Sequence, residues 1–80
     1  MTIYTYASIT ETIEAVIREN LASAVVEDQR DPGLAHAFRM NARGAFHAWD
    51  RLTHPEEQPV WFADRKRLEA LVYPREPVEG

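Results

Sequence analysis

The chain of 80 residues contains no cysteine, which excludes disulfides, zinc–thiolate sites and thiol nucleophiles. Glycine occurs only at 33, 44 and 80, too scattered to build a loop that cradles phosphate. The serines are Ser8 and Ser23; the first is placed to cap a helix and the second falls inside one, so no serine-based catalytic arrangement emerges. Lysine is almost missing as well: Lys66 is the exception among nine basic residues, and the rest are arginine. No apolar run approaches the roughly 20 residues of a membrane span. The opening MTIYTYASIT lacks the basic and apolar regions of a secretory signal. These absences predict a soluble, cytoplasmic, single-domain protein that is not an enzyme and has no metal or cofactor. Nine basic residues against 13 acidic ones give a net charge of −4. That is the wrong sign for a general nucleic-acid binder and too slight to imitate DNA phosphate.

What is present is mainly helical signal. TIYTY, residues 2 to 6, alternates β-branched and aromatic residues and reads as a short strand or extended arm. Ser8 followed by Glu11 has the spacing of a capping box. Ile9, Ile13, Val16, Ile17, Leu21, Ala24 and Val25 then keep helical period, so a first helix is predicted from about 9 to 28. Asp31 and Pro32 suit the N-cap and first position of a second helix. Its apolar residues are Leu34, Phe38, Ala42, Ala45, Trp49 and Leu52, and the pattern passes Gly44 without losing phase, so this helix runs from 32 to about 53. Pro55 ends it by disfavouring helix at His54. VWFA, residues 60 to 63, fits either a strand or a helical turn opened by Pro59. Asp64 can cap a short third helix with Leu68, Leu71 and Val72 inward. PREPVEG, within residues 74 to 80, reads as a loose tail. The predicted fold is therefore mainly α: two long amphipathic helices, a short C-terminal helix, and a minor ribbon of residues 2–6 and 60–63.

The second helix carries His36, Arg39, Arg43, His47, Asp50 and His54 opposite its apolar residues. His47, Asp50 and His54 are ligand types for zinc, but histidines seven residues apart stand about 10 Å apart along a helix. One ion does not bridge that comfortably. Arg39, Arg43 and Arg51, with Arg65, Lys66 and Arg67, offer a basic face for phosphate, unaccompanied by any nucleic-acid-binding motif. A solvated helix face is the simplest account of the stripe.

Two surfaces are candidates for a protein partner. Glu11, Glu14 and Glu19 on the first helix join Glu27, Asp28 and Asp31 at its end, a group able to meet a basic surface. Trp61 and Phe62 are neighbours in PVWF, so one can serve the core while the other anchors a partner.

In size, acidity, lack of cysteine and the extended MTIYTYASIT before the first helix, the chain resembles the small anti-CRISPR proteins encoded by bacteriophages, inhibitors of type I systems in particular. The resemblance covers the whole chain and rests on no shared motif, so no residue role is carried over. It implies a compact, non-enzymatic inhibitor that binds a CRISPR effector complex in the host cytosol and blocks its access to target DNA. On that reading Glu14, Glu19, Glu27, Asp28 and Asp31 contact the partner, with Trp61 as anchor. The alternative is a small nucleic-acid-binding regulatory or antitoxin-like protein that uses the Arg/His face. A homodimer is compatible with so small a core.

Overall fold

The computed structural model describes residues 5–54 and 58–74. They form three helices, α1 (Tyr6–Glu27), α2 (Pro32–Thr53) and α3 (Pro59–Val72). The first helix starts three residues earlier than its sequence suggests because Thr5, not Ser8, is the N-cap. The Thr5 hydroxyl accepts from the Ser8 N–H at 3.1 Å, and Ser8 Oγ accepts from the Thr5 N–H at 3.0 Å. The reciprocal pair is a capping box one turn upstream of the expected one. Asp31 caps α2 as anticipated, accepting from the Leu34 N–H at 3.1 Å, with Pro32 behind it.

The ribbon of residues 2–6 and 60–63 is not formed. Tyr6 is already helical, and residues 60–63 lie in the first turn of α3. Pro59 decides this locally: its fixed φ is preorganised for a first helical position, where its missing N–H is not needed. Asp64, expected as a cap, is inside the helix. Among the described residues there is no strand. Residues 2–4 of the expected arm and 75–80 of the expected tail lie outside the described residues.

α1 and α2 pack as an antiparallel hairpin around Ile17, Ala24, Ala35, Ala42, Phe46 and Trp49. α3 lies across one face of that hairpin and closes the core with Trp61, Leu68 and Val72. The buried side of α2 is rotated from the one its sequence implies. Ala35, Ala42, Phe46, Trp49 and Thr53 are buried, whereas Leu34 and Leu52 are 42% and 67% exposed. On α1, Val16 and Val25 are likewise exposed.

Two threonines join the helices at the core. Trp49 Nε1 donates to Thr10 Oγ1 at 2.9 Å, linking α2 to α1. Trp61 Nε1 donates to Thr53 Oγ1 at 2.8 Å, linking α3 to α2. Thr53 in turn donates to the Trp49 carbonyl at 2.7 Å. The two indoles stack with centroids 5.9 Å apart and planes 8° from parallel, a near-parallel arrangement in which both polar edges are satisfied.

Thr53→Val keeps the shape and removes the acceptor for a buried indole N–H. It should cost about 1–3 kcal/mol in urea denaturation. Gly44→Ala should do the opposite. A Cβ built there meets nothing within 4 Å, so the gain is the helix-propensity difference of about 1 kcal/mol, read in the same experiment.

Candidate functional site

The acidic residues on α1 divide into two groups. Glu14 faces α3, where it accepts from Arg18 Nε at 2.9 Å and also from the Arg67 guanidinium. Arg67 reaches Asp64 at 3.1 Å, and Asp64 accepts from the Tyr6 hydroxyl at 2.6 Å. This chain of contacts, together with Thr10, Glu11 and Val60, lines an open cleft of about 350 Å³ between α1 and α3. Burial, reinforced by the hydrogen bond to Asp64, pushes the Tyr6 phenol up from 10.0 to about 12. A phenol so raised holds its proton and is unsuited to act as a base near neutral pH. The contacts of Tyr6 with Asp64 and of Glu14 with Arg67 join α3 to α1 across this cleft.

The second group surrounds the α1–α2 turn. Asp28 receives a two-pronged contact from Arg39, at 2.8 and 2.7 Å. That guanidinium holds the Asp28 carboxyl below the usual carboxylate range. Glu27 lies 3.9 Å from Arg30, and Asp31 is occupied by its capping bond. Glu19 is exposed and makes no hydrogen bond or ion pair with the described residues. Beside these carboxylates, Val25 and Val26 are 68% and 60% exposed. The six sequence-derived partner residues are thus not one patch. Glu27, Asp28 and Asp31 are brought together at the turn, and Glu19 lies seven residues before Val26 on the same side of α1. Glu14 is drawn into the α3 seam.

Trp61 is a core residue, 3% exposed and stacked on Trp49. Its neighbour Phe62 is the exposed member of the pair, at 56%. The Arg/His side of α2 is also largely engaged within the chain. Arg39 is held by Asp28, Arg43 lies 5.0 Å over the Tyr73 ring, His47 is 2.9 Å from the Tyr73 hydroxyl, and Asp50 pairs with Arg65 at 3.2 Å. The His54 ring meets Trp61 edge-on. Among the described residues no three His, Cys, Asp or Glu side chains gather as a metal site, and no helix is long and apolar enough to cross a membrane.

Compared with protein-family models, curated proteins and solved structures, the chain matches none.

The sequence missed Tyr6 and Arg67 because their partners are 58 and 53 residues away, beyond any local spacing rule. The Val25–Val26 pair had a signal. Adjacent residues on a helix point about 100° apart, so both cannot face one core.

The Tyr6 environment gives a pH prediction. The folded state keeps the phenol protonated to a higher pH than the unfolded chain does. Its contribution is therefore fully present below pH 10 and is lost as pH rises from 10.0 to about 12. Tyrosinate absorbance should show a component titrating near 12, and Tyr6→Phe should abolish it and flatten the alkaline loss of stability over that range.

Proposed function

We propose that the protein is a non-enzymatic inhibitor that works by binding a protein complex, with the α1–α2 turn as its contact region. The observation that supports this most directly is the surface of that turn. Val25 and Val26 stand exposed beside Glu27, Asp28 and Asp31. Neighbouring exposed apolar side chains rimmed by polar groups are a mark of interaction sites, and carboxylates among them favour a basic partner. Arg30 and Arg39 offset part of the negative charge. The turn therefore offers shape, apolar contact and a few local carboxylates in place of a strong field.

In keeping with the anti-CRISPR resemblance, the partner is a type I CRISPR effector complex in the host cytosol, whose DNA-reading surfaces are basic. Occupying such a surface blocks target DNA without any chemistry by the inhibitor. The alternative, a nucleic-acid-binding regulator using the Arg/His face, has less support. Arg39, Arg43 and Arg65 are already held by Asp28, Tyr73 and Asp50, which leaves Arg51 and Lys66 as the main cations for phosphate.

The test is binding to an immobilised, nuclease-treated type I effector complex, with competition by target DNA. The protein should bind and exclude DNA. Glu19→Lys/Glu27→Lys/Asp28→Lys should weaken binding at least tenfold with unchanged helical circular dichroism. Failure to bind any such complex, or equal affinity of the triple variant, would overturn respectively the partner and the contact region.

A further inference from the structure

α3 covers one face of the α1–α2 hairpin and leaves the opposite face bare. At about 100° per residue, Glu14 on α1 and Phe46 and Asp50 on α2, which meet α3, and His47, which meets Tyr73 just beyond it, lie on one side of the buried line of each helix, while Tyr6 and Trp49, which also meet α3, lie along that line. On the other side of that line α2 presents Leu34, Phe38, Asn41, Ala45, Ala48 and Leu52. All six are exposed or half-buried. Their spacing, four and three residues in alternation, is the heptad seam by which one helix packs along another. α1 presents Ile9, Ile13, Val16, Asn20 and Ser23 on the same face, none of them buried. In a chain that is 28% charged, the α2 set contains no charged side chain, and the α1 row meets its first at Glu27, the last residue of the helix.

We infer that this face is a homodimer interface, in which α2 packs antiparallel on α2 of a second copy about a two-fold axis at the level of residue 43. Two observations select a second copy as the occupant. The first is self-complementarity of size. Antiparallel pairing about that point sets Leu34 against Leu52, Phe38 against Ala48, and Asn41 against Ala45 of the partner. The bulkiest ring thus meets one of the smallest side chains, as interdigitating layers require, and the pairing is reciprocal, as a two-fold interface demands. Asn41 and its copy fall two residues either side of the axis, about 6 Å apart along it. Their amides are close enough to reach each other, and a lone Asn in such a seam fixes register.

The second observation is area. Two antiparallel helices of 22 residues, each about 33 Å long and about 10 Å apart, offer a face of roughly 650 Å². That is close to the roughly 800 Å² per partner of a standard stable interface. Thr10 pairs with Trp49 across the hairpin, which places Val16 level with residue 43. Val16 of each copy therefore meets its counterpart at the axis.

Sedimentation equilibrium over a micromolar to sub-millimolar series tests association. The mass should rise to twice the 9.2 kDa of one chain. Ala48→Glu/Leu52→Glu, at positions exposed in one chain, should raise the dissociation constant at least a hundredfold with unchanged helicity. The absence of native cysteine allows the register to be read directly. Asn41→Cys mixed with Ala45→Cys should form a disulfide-linked dimer on mild oxidation, because opposed positions come within the roughly 7 Å between Cα atoms that a disulfide tolerates. Each variant alone should not. A monomer at every concentration would overturn the inference, as would Asn41→Cys cross-linking to itself, the mark of parallel pairing.

Discussion

A buried indole N–H must find an acceptor, because leaving it without one inside the protein costs as much as several good contacts return. The fold answers that constraint twice. Thr10 serves Trp49 and Thr53 serves Trp61, and each pair crosses a helix boundary. The hydroxyls do more than neutralise a cost: they fix the rotation of α1 against α2 and of α3 against α2. An apolar pair of the same size would tolerate sliding, whereas a hydrogen bond of 2.8–2.9 Å does not. Rings then assemble around the two donors. Phe46 lies 6.3 Å from Trp49, Tyr6 lies 6.4 Å from the same ring, and Phe46 meets Tyr73 edge-on.

The rest of the surface follows from that registration. Once Trp61 is seated, α3 can reach only one face of the hairpin. Its charged residues are used there: Arg65 bridges Asp50 and Glu69 at 3.2 and 2.7 Å, and Arg67 bridges Glu14 and Asp64. These pairs are half-exposed and each contributes modestly, but together they draw charge to the α3 side. The opposite face of the hairpin keeps its uncharged side chains, and the turn keeps its valines and carboxylates. The molecule is thus asymmetric between its two faces, and the proposed contacts with other molecules lie away from the α3 seam.

Much of this architecture was legible in the sequence, and the failures have physical causes. Asp31–Pro32 announced α2, and Leu68 and Val72 were placed inward correctly, because caps and periodicity are local signals. Ser8 offers the same capping chemistry one turn after Thr5, so spacing alone does not distinguish the two. The phase of α2 is hidden in its sequence because Leu34 and Leu52 are as apolar as any core residue, while Thr53, which is buried, is polar. Periodicity weighs hydrophobicity and cannot see that a threonine is wanted by an indole on another helix. The same blindness applies to the acidic residues. Glu14 and Arg18 have the spacing of four that makes neighbours on one helix, but the Arg39 contact with Asp28 and the Arg67 contact with Glu14 arise only after the chain has turned back on itself.

The stack of Trp49 on Trp61 has an optical consequence. Its members belong to α2 and α3, so the near-parallel geometry exists only while α3 is docked. Two indoles 5.9 Å apart share excitation, and their near-ultraviolet dichroism reports the pair as a unit. The backbone hydrogen bonds of α1 and α2 lie within each helix, so a loss of the stack and a loss of helix are distinct signals. The protein therefore carries an intrinsic gauge of the seating of its last helix, one that amide signals do not duplicate.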